Sequence, residues 1–258
     1  MKVRLVALHL IIALNLFQAV RAQNVRIRLE NCELDPQTLV EIQNSLNFQL
    51  VFYERIFKTP VDSSFKARIF GSEKDFVKYS KSKANFNPTR SHSIAFFDYN
   101  LMEMILHKDV DDFASVFAHE LSHAILHYYC KDASTWIHEG LAELMEDIVL
   151  VDSKYFFDVT QVVKIGSAQT LLREGASVSD AMKSSSAGTF YQSVSSWPNY
   201  TLSFAALLYL YNTRDEVLSG IIRGECDWKH DQFLLYYPGG LDLFEMDVKS
   251  YFLNHRPN

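Results

Sequence analysis

Three cysteines in 258 residues rule out several uses of that residue. Cys32, Cys130 and Cys226 lie far apart, with none of the short paired spacing of a zinc knuckle. Their odd number allows at most one internal disulfide and leaves a thiol over, and nothing in the sequence chooses the pair. Proline and glycine are also scarce, at 6 and 9 residues, and no collagen-like repeat, long low-complexity tract or internal duplication is present. Basic charge is in deficit, with 25 Lys and Arg against 31 Asp and Glu, a formal net charge of −6. That balance argues against nucleic acid or an anionic membrane surface as partner. Long apolar runs are missing too. The stretch from Leu5 to Phe17 is too short to span a bilayer comfortably, and Asn15 interrupts it.

That stretch reads instead as the core of a secretory signal peptide. Lys2 and Arg4 form its charged start, and Val20-Arg21-Ala22 is a small-residue cleavage site. Cleavage after Ala22 assigns residues 1–22 to the signal and leaves residues 23–258, secreted or periplasmic, with no stable membrane insertion. It also removes Lys2, Arg4 and Arg21 and no acidic residue, taking the formal charge from −6 to −9. The mature chain is long enough for one domain with a sizeable core, in two lobes covering 23–130 and 131–258. Asn199-Tyr200-Thr201 is a formal N-glycosylation sequon, meaningful only in a eukaryotic host.

What the sequence does contain is centred on Val116-Phe117-Ala118-His119-Glu120-Leu121-Ser122-His123-Ala124-Ile125. Phe113, Val116, Phe117, Leu121, Ala124 and Ile125 recur at spacings of three and four. No Pro or Gly interrupts Val110 to Tyr129, so this stretch is predicted to be a helix, with Asp109, Asp111 and Asp112 at its first turn. His119 and His123, four apart, project from one face and can grip a single metal ion. Glu120 is then placed to take a proton from water held by that ion. His127 lies a turn too far along to share the ion and reads as structural.

The preceding chain reads as strand Asn24–Leu29, helix Asp35–Phe57 and strand Phe65–Phe70. The helix carries a core stripe through Leu39, Ile42, Leu46, Leu50, Phe52 and Tyr53. Ser72 caps a short helix Glu73–Tyr79 with Phe76 and Tyr79 facing inward. Strand Ser91–Phe97, the turn Asp98-Tyr99-Asn100 and strand Glu103–His107 follow. Strand pairs leading into a metal-binding helix predict an α+β fold rather than an alternating α/β one. A strand beside such a helix can also take up an extended peptide at the sheet edge.

After the metal helix, Lys131 to Ser134 makes a turn and Thr135 to Leu150 begins a returning helix. A catalytic zinc needs a third protein ligand and an open position. Glu139, sixteen residues after His123, is the best candidate, and Gly140 leaves room for a close approach to the metal helix. Glu143, one turn on, suits a supporting role, accepting a hydrogen bond from a ligand histidine. His138 is a rival ligand, but it points about 100° away from Glu139 on the helix. Helices at Val159–Arg173, Ser179–Ser184, Asn199–Tyr211, Asp215–Arg223 and Leu241–Leu253 complete a helical C-terminal lobe, the last preceded by a turn at Pro238-Gly239-Gly240.

Ala-His-Glu-Leu-Ser-His at 118–123 and Trp-Ile-His-Glu-Gly-Leu-Ala-Glu at 136–143 together resemble the gluzincins. This is the zinc metallopeptidase group of thermolysin, the M1-type aminopeptidases and bacterial collagenases. The second segment is similar to the Trp-x-x-Glu-Gly-x-Ala stretch that supplies the third zinc ligand in aminopeptidase-like and collagenase-like members. Weaker likeness to collagenase-type and secreted peptidase-MA-like domains covers Tyr200 to Leu210 and Gly240 to Phe252. The metzincin pattern fails, with Leu126 in place of its glycine and Tyr129 in place of its third histidine. No Gly-x-Met-Glu-Asn segment precedes the motif, which counts against an aminopeptidase.

The resemblance implies a zincin-like fold with an N-terminal lobe of a small mixed sheet and helices, the active-site helix, then a helical lobe. It implies one Zn²⁺ per chain on His119, His123 and Glu139, with Glu120 as general base and a peptide or protein as substrate. Tyr200, at the start of a downstream helix, is the candidate oxyanion donor, with Tyr191 second to it. A catalytically silent exported peptidase-like domain that binds protein partners is the alternative. A secreted α+β domain without metal is a third reading, which elemental analysis separates from the other two.

Overall fold

A computed structural model describes residues 25–91, 93–151, 154–157, 162–183, 190–191, 197–226 and 236–254. The signal segment expected at 1–22 lies outside them. The fold mixes a small sheet with many helices, an α+β arrangement. Among the described residues no helix is long and apolar enough to cross a membrane. The chain divides into two compact units, and the division runs through one long helix.

The first unit takes residues 25–43 and 61–113 of the described chain. Its sheet has strands β1 (Val25–Glu30), β2 (Phe65–Phe70), β3 (Ala95–Asp98) and β4 (Glu103–His107) in the order β1-β2-β4-β3. β1, β2 and β4 run parallel, and β3 is an antiparallel edge strand on β4. β1 and β2 flank helix α1 (Pro36–Phe57), as two parallel strands require of their crossover. Asp35 starts α1, its side chain accepting from the Thr38 amide at 3.0 Å.

Helix α2 (Glu73–Lys83) is capped by Ser72, whose hydroxyl accepts from the Asp75 amide at 3.2 Å. It runs a turn beyond the expected end at Tyr79. Phe76 packs on Phe70 and Ile105 in one of the buried apolar clusters of this unit. Tyr79 is only partly buried and gives its hydroxyl to Glu103 at 2.8 Å. The strand expected from Ser91 begins only at Ala95, because a helical turn, α3 (Pro88–Ser91), takes up the start of that stretch. Its end is set by Asp98, which accepts from the amides of Asn100 and Leu101 at 2.9 and 2.7 Å.

The second unit takes residues 44–60 and everything described after 113. Its helix α4 (Phe113–Tyr129), which carries His119 and His123, starts three residues later than Val110. Asp112 adopts φ 52°, a left-handed conformation a helix does not continue through, so the expected first-turn acids precede the helix instead. The C-terminal part of α1 holds α4 by buried hydrogen bonds. Gln49 Nε2 donates to the Ala118 carbonyl at 2.8 Å, and the Tyr53 and Ser122 hydroxyls meet at 2.7 Å. Ile42, Leu46, Leu50, Phe52 and Tyr53 of the expected stripe are buried, but Leu39 is exposed.

Helix α5 (Thr135–Met145) is shorter than the run to Leu150 that the sequence predicts. From Ile148 the chain is extended, with strand β5 (Ile148–Val151) pairing antiparallel to β6 (Lys154–Phe157). Helices α6 (Val162–Arg173), α7 (Val178–Lys183), α8 (Trp197–Thr213), α9 (Asp215–Cys226) and α10 (Gly240–Asn254) follow, each within a few residues of its expected place. Gly239 and Gly240, at φ 101° and 73°, make the turn before α10. A disulfide joins Cys130, just past α4, to Cys226 at the end of α9, leaving Cys32 as the thiol.

Gly140 does not serve an approach to the metal helix. A Cβ there would lie 2.8 Å from both the Ser203 carbonyl oxygen and Leu207 Cδ1, so its role is to let α5 sit against α8. Because a backbone atom is in the way, Gly140→Ala must push two helices apart. The expected loss is about 1–3 kcal/mol of unfolding free energy, read from urea denaturation of the variant against wild type.

Candidate metal centre

The helical period brings the α4 histidines to one face, and α5 carries a carboxylate to them. Glu139 Oε2 lies 3.6 Å from both His119 Nε2 and His123 Nε2. This separation exceeds a hydrogen bond, and Oε2 is buried without a hydrogen-bond partner. Three ligand atoms around a tetrahedral zinc, each about 2.0–2.2 Å from it, stand roughly 3.3–3.6 Å apart. The separations to Glu139 match that range, and the three ligand atoms all lie within 4.8 Å of one another. A buried carboxylate oxygen aimed at two imidazole nitrogens without bonding either fits a divalent cation between them.

Protonation follows the same geometry. Burial drives His123 down to about 3, so its imidazole is neutral and able to ligate. Burial opposes charge on His119 as well, but Glu139 and Glu146 outweigh it and hold that ring well above its ordinary value. A metal ion arriving there displaces a proton. Burial would raise Glu139, yet His123 and His119 bring it down to about 2. Glu120 follows His119 on α4, is 6% exposed, and its charge acts on both His119 and Tyr200.

The two tyrosines take different places. Tyr191 donates its hydroxyl to Glu139 Oε1, the other oxygen of that carboxylate. Tyr200 lies in the first turn of α8 with its ring centroid 6.2 Å from that of Tyr191. Burial first, then the Glu139 carboxylate, push the Tyr200 phenol up, so it stays protonated and able to donate. Asn199 beside it spends its side-chain amide on the Phe190 carbonyl at 2.9 Å, and Thr201 is buried. The sequon is therefore folded into a helix start rather than presented on a loop.

His138 stays outside the ligand group. Its ring lies 5.6 Å from that of His123, and burial lowers it to about 4. Glu143 does not take the supporting role expected of it. The partner of His119 is Glu146, whose Oε1 meets Nδ1 at 2.6 Å. That contact holds Nδ1–H toward Glu146 and leaves Nε2 facing Glu139 and His123, where it can ligate once a metal ion has displaced its proton. Glu146 reaches His119 because α5 ends beside it. Its carbonyl accepts from the Ser115 hydroxyl in the first turn of α4 at 3.2 Å, tying that end to the metal helix.

Behind Glu146 stands Lys164 of α6, which no sequence signal marked. Its ammonium lies 2.7 Å from Glu146 Oε2, 3.1 Å from Glu143 Oε2 and 3.3 Å from Asp147 Oδ2. It also donates to the Glu143 carbonyl at 2.8 Å and sits 5.4 Å from the Phe204 ring centre. Burial raises Asp147 to about 7, and although burial also penalises charge on the lysine, the carboxylates hold its ammonium above the usual range. Neither a scan of protein-family models nor a search of curated proteins finds a match to the chain.

Proposed function

We propose that the chain is a secreted or periplasmic zinc-dependent metallopeptidase of the gluzincin kind, with a zincin-like fold and one Zn²⁺ per chain. The observation that carries this reading is Glu139 Oε2, buried, without a hydrogen bond, and equidistant at 3.6 Å from the Nε2 atoms of His119 and His123. Two imidazoles and one carboxylate leave a fourth position open, the donor set of a hydrolytic rather than a structural zinc site. The remaining groups suit peptide hydrolysis. They also favour an enzyme over a silent binding module, because base and ligands stand together.

Zinc in this site would supply a Lewis acid that makes water a nucleophile near neutral pH and offsets negative charge on the substrate oxygen. Glu120 accepts the proton of the attacking water as the new C–O bond forms. It returns that proton to the peptide nitrogen as the C–N bond breaks, so the products are a free acid and an amine. Tyr200, held protonated, donates to the oxygen that gains charge at the carbonyl carbon. Tyr191 fixes Glu139 through its other oxygen, keeping the carboxylate's aim on the histidines. The signal segment at 1–22 would deliver the chain across a membrane, where the Cys130–Cys226 disulfide is stable.

The test is elemental. Chain purified without chelators should carry close to one zinc, and Glu139→Ala should carry less than a tenth of that while remaining folded by circular dichroism. The wild type should also cleave members of a mixed peptide library, and a chelator should stop it. Zinc below a few tenths per wild-type chain would overturn the metal site. A full complement of zinc without any cleavage would leave the binding-module reading in its place.

A further inference from the structure

A second group of metal-ligating side chains adjoins the first among the described residues: His119, Glu143 and Glu146. It has the composition of a cation site, and a cation of the chain's own already fills it. The Lys164 ammonium stands within 3.3 Å of three carboxylates, from Glu143, Glu146 and Asp147. One of these does double duty. Glu146 gives Oε2 to Lys164 at 2.7 Å and Oε1 to His119 Nδ1 at 2.6 Å. A single planar carboxylate thus links the lysine to the imidazole whose far nitrogen faces Glu139 and His123.

We propose that Lys164 is a positioning residue for the metal, a built-in cation that fills the second acidic cluster and holds Glu146 against His119. The inference rests on the zinc reading above and concerns how the ligand is aimed, not the chemistry of cleavage. Its physical basis is twofold. Without a cation between them, Glu143, Glu146 and Asp147 repel one another in a mostly buried space, and Glu146 has reason to turn out toward water. With the ammonium in place, one oxygen of Glu146 is pinned and the other is left on Nδ1. An imidazole held this way keeps its tautomer and its angle to the ion, and loss of such a supporting bond typically weakens metal binding by about 10- to 100-fold.

The ammonium also supplies positive charge where three further carboxylates converge close to the centre. Lys164 is fixed by helix α6 and by contacts on several sides, including the Glu143 carbonyl and the Phe204 ring. A point charge with three donors matches three converging carboxylates better than a planar guanidinium does.

The experiment measures zinc affinity by chelator competition, with no substrate present, for wild type, Lys164→Gln, Glu146→Gln and the double variant. Circular dichroism of the metal-free proteins checks folding. Lys164→Gln and Glu146→Gln should each weaken zinc binding about 10- to 100-fold, and the double variant should be no weaker than the worse single, because both remove one linkage. Cobalt-substituted Lys164→Gln should show a shifted visible spectrum, which a merely structural lysine would not produce. Lys164→Arg should restore part of the affinity. If Lys164→Gln does not fold, Lys164→Gln/Glu143→Gln keeps the cluster's net charge unchanged and takes its place. Affinity unchanged in the folded lysine variant, or additive losses in the double variant, would overturn the assignment while leaving the metallopeptidase reading intact. A wild type that binds no zinc would instead sink that reading.

Discussion

Glu120→Gln should lower kcat/KM on any peptide the wild type cleaves by about 10²- to 10⁴-fold, the range a positioned general base supplies. That is roughly 3–5 kcal/mol in the activation barrier. Glutamine keeps the size and the neighbours of the glutamate but cannot carry a proton from water to the leaving nitrogen. Glu120 is not one of the three groups converging on the ligand position, so the variant should hold zinc as well as wild type does. The measurement pairs kinetics with metal content in one preparation. Equal cleavage by a fully loaded variant would remove Glu120 from the role, and parallel loss of zinc would show that it supports the ligands instead.

Removing the disulfide should have the largest effect on stability. Cys130 and Cys226 are 96 residues apart in sequence, so the bond closes a long loop in the unfolded chain. By chain entropy its loss costs about 4–5 kcal/mol. Cys130 is 3% exposed and follows Tyr129 directly, so the bond anchors the C-terminal end of the metal helix to the end of α9. Cys130→Ser/Cys226→Ser should therefore unfold at markedly lower urea, with a somewhat steeper dependence on urea concentration because the released unfolded chain exposes more surface. A loss below about 1 kcal/mol would show that packing around α9 already fixes that end of the helix.

Much of the fold can be read from the chain because its signals are local. Strands β1, β2 and β4 and helices α1, α4 and α8 to α10 follow from apolar spacing, caps and turn residues within a few positions. The candidate metal group can be read for the same reason, since His119 and His123 are joined by one helical turn and Glu139 sits early in the next helix. What escapes depends on where elements end and on what they meet. Ile148 to Leu150 is an apolar run that extends the pattern of α5 without a break, so nothing in it announces a strand. Glu143, one turn past Glu139 on the same face, looks like the partner of a ligand histidine. Glu146, one residue past the helix, is the side chain that arrives. Leu39 fits the stripe of α1 by spacing yet is exposed, a reminder that spacing defines a face without saying how much of it is covered. Lys164 and the Cys130–Cys226 pair carry no local mark at all, for each is defined only by distant chain brought alongside.

The junction between α5 and β5 has one more consequence. Glu139 and Glu146 are seven residues apart, two helical turns less a small drift, and the helix ends just before the second. Deleting or inserting one residue between them would rotate Glu146 by about 100° relative to Glu139. The segment should thus tolerate almost no change of length, and few exchanges of side chain either, because Leu141, Ala142, Leu144 and Met145 between the two carboxylates are buried. Its length works as a ruler, set by two carboxylates that must address opposite nitrogens of the same imidazole.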